Sequence, residues 1–181
     1  MTPSVPSNYV PGVRRRQVTP LYDTLTVATT TAIGAQKILF GSVAGTVGIQ
    51  NTNMSQAFQL PGTEKFTVAA MRFVVVSSVI ADVIGIMTNY VLRLIRGRAV
   101  ELEAPVEYFA GGAGPVAPLA AGTIVSNGVQ DPRAVASLGE NPIIIEGSDH
   151  FEVQLVGASY TTTAALVVRV YLDGWFDKGV Q

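Results

Sequence analysis

His150-Phe151-Glu152-Val153-Gln154-Leu155-Val156 alternates its side chains, with apolar Phe151, Val153 and Leu155 set against polar His150, Glu152 and Gln154. Successive residues of an extended strand point to opposite faces, so this pattern describes a strand with one side in a core and one in water. The following run repeats the alternation. Leu166, Val168, Val170 and Leu172 share one face, while Val167, Arg169, Tyr171 and Asp173 share the other. Gly157 and the Asp173-Gly174 pair supply turn or bulge signals. The segment from Asn141 to Gln181 therefore reads as strand, turn, strand, the building block of an all-β domain.

Working back toward the N-terminus, similar β-branched or alternating runs occur near 24–30, 36–40, 65–76, 90–96, 99–103 and 143–146. In the run from Lys65 to Val76, Phe66, Val68, Ala70 and Val74 are expected on one side and Met71, Phe73 and Val75 on the other. Apolar residues on both faces imply a central strand or a partner on the outer face. Ser77 or Ser78 is placed to cap a short helix burying Val79, Ile80, Val83, Ile84 and Met87, although Gly85 weakens it. Tyr90–Arg96 and Ala99–Glu103 read as a hairpin turning near Gly97, with Val100 and Leu102 inward and Glu101 and Glu103 outward. A weak strand is expected near Thr46–Ile49 within the glycine-spaced stretch Gly41–Leu60. Ala110–Gly122, rich in Gly and Pro, begins a long loop that extends toward Asn141, with room for one helical turn at Asp131–Leu138.

About eight unequally spaced strands argue for long crossovers between two sheets, as in jelly rolls and other Greek-key sandwiches. The expected fold is an all-β, two-sheet antiparallel sandwich of the single jelly-roll type, with one short helix and one long Gly/Pro-rich loop. Residues 1–22, with Pro3, Pro6, Pro11 and Pro20, form an extended arm, and 23–181 a single domain.

A chain of 181 residues can bury a substantial core without staples. Its 48% apolar but only 14% charged composition, against a typical charged fraction of about 25%, leaves little charge to cover a monomer's surface. Much of the exterior is therefore expected to be covered by neighbours. Net charge is −1, so no global field recruits nucleic acid or anionic lipid, and no specific nucleic-acid recognition is expected. The charge is uneven, because Arg14, Arg15 and Arg16 precede the first acidic residue, Asp23. Without cysteine there is no disulfide framework and no thiolate metal site. Met1–Thr19 lacks the continuous apolar stretch of a secretory signal. Val74–Leu92 approaches the roughly 20 residues of a spanning helix. Asp82 would then lie near the bilayer centre at a cost of about 3 kcal/mol, so a buried strand followed by a short core helix is the better reading.

The chemistry is sparse. His150, the sole histidine, follows Asp149, but adjacent strand residues diverge, so the pair is poorly placed for a catalytic dyad. Glu101, Glu103 and Glu107 follow Arg93, Arg96 and Arg98, an arrangement that suits cross-strand charge pairs better than a metal site. Gly111-Gly112-Ala113-Gly114-Pro115 lacks the Lys-Ser/Thr of a phosphate loop, and Asn53-Met54-Ser55 matches a glycosylation sequon by composition alone. No catalytic residue, cofactor or metal is assigned. Two groups remain as candidates. Arg14, Arg15 and Arg16 fit acidic residues of another subunit, lipid headgroups or phosphates. Tyr171, Trp175 and Phe176 place aromatics at the end of the last strand, either as a plug closing the sandwich or as an interface anchor.

The closing run Ile143-Ile144-Ile145-Glu146-Gly147, His150–Gly157 and Ala164–Phe176, behind a proline-rich basic arm and a long Gly/Pro/Ala loop, resembles a viral single jelly-roll capsid protein. In size and texture the chain is similar to the small major capsid proteins of tailless icosahedral phages with an internal membrane, the sphaerolipovirus-like group. That resemblance implies an upright β-sandwich in the virion shell and self-association into dimers or larger capsomers. It further implies a second, larger capsid protein as partner and a lipid membrane beneath the shell. The rival reading is a lectin-like β-sandwich that uses Tyr108, Tyr160 or Trp175 to stack on sugars.

Overall fold

The computed structural model describes residues 15–109, 125–126, 136–138 and 141–178. In chain order these form β1 (Arg15–Val18), β2 (Leu21–Val27), β3 (Ala32–Ile33), β4 (Gln36–Leu39), α1 (Ala44–Val47), β5 (Glu64–Ser77), α2 (Ile80–Asn89), β6 (Tyr90–Arg96) and β7 (Ala99–Pro105). There follow α3 (Val106–Phe109), β8 (Val125–Ser126), β9 (Ala136–Ser137), β10 (Ile143–Glu146), β11 (Phe151–Gly157), β12 (Tyr160–Thr161) and β13 (Leu166–Lys178). Ala110–Gly122 and the Asp131–Val135 part of the expected helical turn lie outside the described residues, while Ala136–Ser137 is a short strand on β5.

The pairing is nested. β2 joins β13, β4 joins β11, β5 joins β10 and β6 joins β7, all antiparallel, as if one long hairpin had been rolled around a core. Rolling produces two main sheets, one with the order β2-β13-β5-β10 extended at its edges by β1, β8 and β9, the other with the order β4-β11-β6-β7, while β3 and β12 pair separately. This is a single jelly roll. The alternation in the two closing strands sets its core: Phe151, Val153 and Leu155 of β11 and Leu166, Val168, Val170 and Leu172 of β13 are fully buried. They meet Leu92 and Leu94 of β6 and Met71, Phe73 and Val75 of β5, and each such side chain contributes about 1.5–3 kcal/mol by leaving water.

Three expectations change on folding. The first concerns β5, where Phe66 and Val68 point inward together with Met71, Phe73 and Val75, not opposite them. The register against β13 skips Ala69 between Asp173↔Ala70 and Gly174↔Val68, and that bulge reverses the parity of everything before it. Asp173-Gly174 is accordingly a bulge site inside a strand that runs on to Lys178. Second, α2 buries Asp82, Val83, Gly85 and Ile86, leaving Ile80 and Ile84 41% and 45% exposed. The helix is rotated by Asp82, whose carboxylate has its donors on the inward side, and by Gly85, where a Cβ would lie 2.4 Å from the Tyr160 ring. Third, Val100 is 53% exposed because β7 is an edge strand with a bulge opposite Leu94/Ile95, and Thr46–Ile49 contains the end of the short α1 in place of a strand. Val74–Leu92 is divided between β5, the ten-residue α2 and β6, and no helix among the described residues is long and apolar enough to cross a membrane.

Asp23 faces inward from β2 and is 3% exposed. Its Oδ2 accepts the Phe40 N–H at the end of β4, tying the two sheets together, while Oδ1 has no partner of good geometry among the described residues. Burial pushes this carboxyl above the usual range, outweighing hydrogen bonds from the Phe40 and Thr24 backbone and the Thr52 hydroxyl. A raised carboxyl pKa means that its contribution is fully present below the unfolded value near 4 and is lost as pH rises through the folded value. Asp23→Asn is expected to leave stability at pH 7 unchanged or raise it by about 1 kcal/mol and to flatten this decline. Denaturant midpoints between pH 4 and 7 check this; a variant less stable than the parent by more than about 1 kcal/mol at pH 7 contradicts it.

Candidate functional site

The outer face of the larger sheet gathers most of the residues with binding potential. Along β13 the positions Val167, Arg169, Tyr171, Asp173, Trp175 and Asp177 point away from the core, each paired with a neighbour on β5 and with one on β1 or β2 where those strands reach. Strand β1 brings Arg16 opposite Asp177 and Val18 opposite Trp175. The Arg16 guanidinium lies 5.0 Å from the Trp175 ring centroid and 3.8 Å from the Asp177 carboxylate. Arg16 is 70% exposed, so this pair holds β1 in place only weakly. Of the other two arginines, Arg14 lies outside the described residues and Arg15 contributes its backbone to β1.

The three aromatics of this region do not act as one cluster. Trp175 is on the outer face under Arg16, whereas Phe176 turns inward and packs on Phe66 with ring centroids 4.8 Å apart. Tyr171 lies on the outer face beside Tyr22, 6.0 Å between centroids, with the Arg72 guanidinium 4.6 Å above its ring. Arg72 also engages Asp173 through both Nε and Nη2 in a two-pronged, half-buried ion pair. Sequence alone did not pick out that pair. Both residues stand at outward positions of alternating strands, but only the register Tyr171↔Arg72 and Asp173↔Ala70 makes them neighbours.

Further along the same face, Val74, Val76 and Val167 are partly exposed among the described residues. Val74, Val76 and Val167 floor a concavity of about 210 Å³ whose rim includes Arg169 and Tyr171. Arg169 is drawn toward β2, where Nε donates to Thr24 Oγ1 at 2.8 Å and Nη2 to the Gln50 carbonyl at 2.9 Å. The segment around α1 is held there by the Tyr22 and Thr24 hydroxyls, which donate to the Ile49 and Asn51 carbonyls.

The remaining sequence candidates are dispersed. His150 Nε2 stands 3.6 Å from Glu152, two residues along the same strand face, and its ring packs 5.3 Å from that of Phe58. Asp149 instead accepts the Glu146 N–H, so no Asp149–His150 dyad forms. Glu103 and Glu101 pair across strands with Arg93 and Arg96. Tyr108 is 60% exposed on α3, while the Tyr160 hydroxyl is committed to Asp82 Oδ1 and the Ala81 carbonyl. Burial and the neighbouring Asp82 charge both raise the Tyr160 phenol's pKa. Tyr108, Tyr160 and Trp175 sit on three separate elements, α3, β12 and β13. Comparison with protein-family models, curated proteins and solved structures finds no match to this chain.

Proposed function

We propose that this chain is a structural virion protein, the major capsid subunit of a tailless icosahedral bacteriophage, which self-associates into capsomers and performs no reaction. The observation carrying this reading is the placement of exposed apolar side chains on a jelly roll. Ile38 is 46% exposed on β4 and Val100 is 53% exposed on β7, and these strands are the two opposite edges of the smaller sheet. Ile144, 37% exposed, stands on the β10 edge of the larger sheet. Two different adhesive edges permit head-to-tail contacts, which close into rings when the rotation between copies allows. The low charge of the chain supports the same reading, because subunits buried against copies of themselves need little charge for solubility. A second, larger capsid protein and an internal viral membrane are the further partners proposed, with Arg14, Arg15 and the largely exposed Arg16 as the proposed contacts.

Size-exclusion chromatography with light scattering on detergent-free protein is expected to show defined oligomers that grow with concentration. Ile38→Glu is expected to shift them toward monomer by at least about tenfold in apparent dissociation constant while leaving the thermal midpoint within about 2 °C. A monomer at about 100 µM, well above the micromolar range of modest interfaces, would sink the proposal.

A further inference from the structure

We propose that the concavity on the outer face of the larger sheet binds a small anionic amphiphile, a carboxylate carrying a short alkyl chain. Among the described residues Arg16, Arg72, Arg93 and Arg96 each meet a carboxylate, but Arg169 donates only to neutral oxygens: Thr24 Oγ1, the Gln50 carbonyl and, at 3.5 Å, the Tyr171 hydroxyl. Those bonds fix the half-buried guanidinium in position and leave its charge without a counter-ion. A fixed, partly desolvated cation is a preorganised site for an anion, since its geometry costs nothing further on binding.

The floor beside it selects what the anion carries. Because Arg169 leans toward Thr24 and Gln50, Val74, Val76 and Val167, three branched apolar side chains on adjacent paired strands, stay partly exposed beside it among the described residues. At about 210 Å³ the space is below the roughly 300–1,000 Å³ of sites for drug-sized ligands, so it suits a single charged head and a short tail. The carboxylate would lie against the free Arg169 N–H groups and the Tyr171 hydroxyl, and the alkyl chain along the valines. This site is independent of the capsid reading.

Titration of the full chain with octanoate, followed by amide ¹H–¹⁵N spectra, is expected to show saturable shifts at Thr24, Gln50, Val74 and Val167 with a dissociation constant of about 0.1–1 mM. Acetate, which lacks the tail, and octanol, which lacks the charge, are each expected to bind at least about tenfold more weakly. Arg169→Gln is expected to weaken octanoate at least about tenfold, whereas Arg98→Gln, in the exposed β6–β7 turn, is expected to change nothing. Since Arg169→Gln also removes a brace on the Gln50 segment, Val74→Asp supplies a second variant, placing a carboxylate beside the guanidinium to compete with the ligand. Octanol binding as tightly as octanoate, shifts mapping to the Ile80/Ile84 face of α2, or full octanoate affinity in both folded variants would each overturn the assignment. A strictly monomeric protein that still binds octanoate in this way would refute the capsid proposal and leave this one standing.

Discussion

Gly174→Ala is expected to lower the unfolding free energy by about 3 kcal/mol, the largest effect of a methyl group added at any described glycine. A Cβ at Gly174 would stand 1.8 Å from the Thr67 carbonyl oxygen and 2.9 Å from its carbon. Both belong to the backbone of β5, the strand to which β13 is bonded along nearly its whole length, so neither can swing aside as a side-chain tip would. Relief requires the two central strands of the larger sheet to separate at the bulge that lets Phe66, Val68 and Met71 all face inward. Trp175, the sole tryptophan and the next residue, provides a fluorescence signal for the transition. Gly45→Ala is the companion control. Nothing lies within 4 Å of its added Cβ and it sits in α1, so it is expected to be neutral or to stabilise by up to about 1 kcal/mol. If the two variants unfold at the same denaturant concentration, the close approach at Gly174 is not a feature of the folded protein.

Asp82→Ala is expected to cost about 4 kcal/mol, and Asp82→Asn about 2 kcal/mol. This residue is fully buried on α2 and accepts four hydrogen bonds. Oδ1 takes the Thr163 N–H at 2.9 Å and the Tyr160 hydroxyl at 3.0 Å, and Oδ2 takes the Ala164 N–H at 2.8 Å and the Ser77 hydroxyl at 3.4 Å. Alanine takes the acceptor away from the part-buried Thr163 and Ala164 N–H groups and leaves the Tyr160 hydroxyl only the Ala81 carbonyl, whereas asparagine keeps one oxygen but sets an NH₂ against an N–H. Burial by itself raises the Asp82 pKa, but the hydrogen bonds from Thr163, Ala164 and Tyr160 outweigh it, and the net shift is downward. A depressed carboxyl pKa gives stability that is complete above the unfolded value near 4 and is lost as pH falls through the folded value. The acid limb of the stability curve below pH 4 is therefore expected to be steeper in the parent than in Asp82→Asn. Parallel acid limbs would show that Asp82 is not the charged acceptor on which α2 and the β12–β13 turn are assembled.

The two buried aspartates carry opposite signs for a geometric reason. Asp23 and Asp82 are both removed from water, but Asp82 sits where a helix meets a turn with N–H groups aimed at it, and Asp23 sits mid-strand, where the ladder has used most donors. One carboxylate is held ionised, and the other is pushed toward protonation.

The alternation in Phe151–Leu155 and Leu166–Leu172 was sufficient to determine an all-β sandwich and the inward residues of its two closing strands, because a period of two admits only one assignment of faces. The charge alternation Arg93, Arg96, Glu101, Glu103 likewise announced the cross-strand pairs found on β6 and β7. Other features depended on long-range pairing that local pattern does not encode. One bulge at Ala69 inverted the expected face of Phe66 and Val68, and the donors around Asp82 turned α2 so that Ile80 and Ile84 point outward. The candidate sites show the same division. Sequence marked Arg16 and Trp175 as residues of interest, but only the antiparallel register of β1 on β13 stacked one over the other. Arg169 was one polar residue in an alternating strand until Thr24 and Gln50 were folded beside it, fixing a cation next to three partly exposed valines. Periodicity reports which side of its own strand a residue occupies, whereas its neighbours across the sheet are set by register, and register is a property of the whole fold.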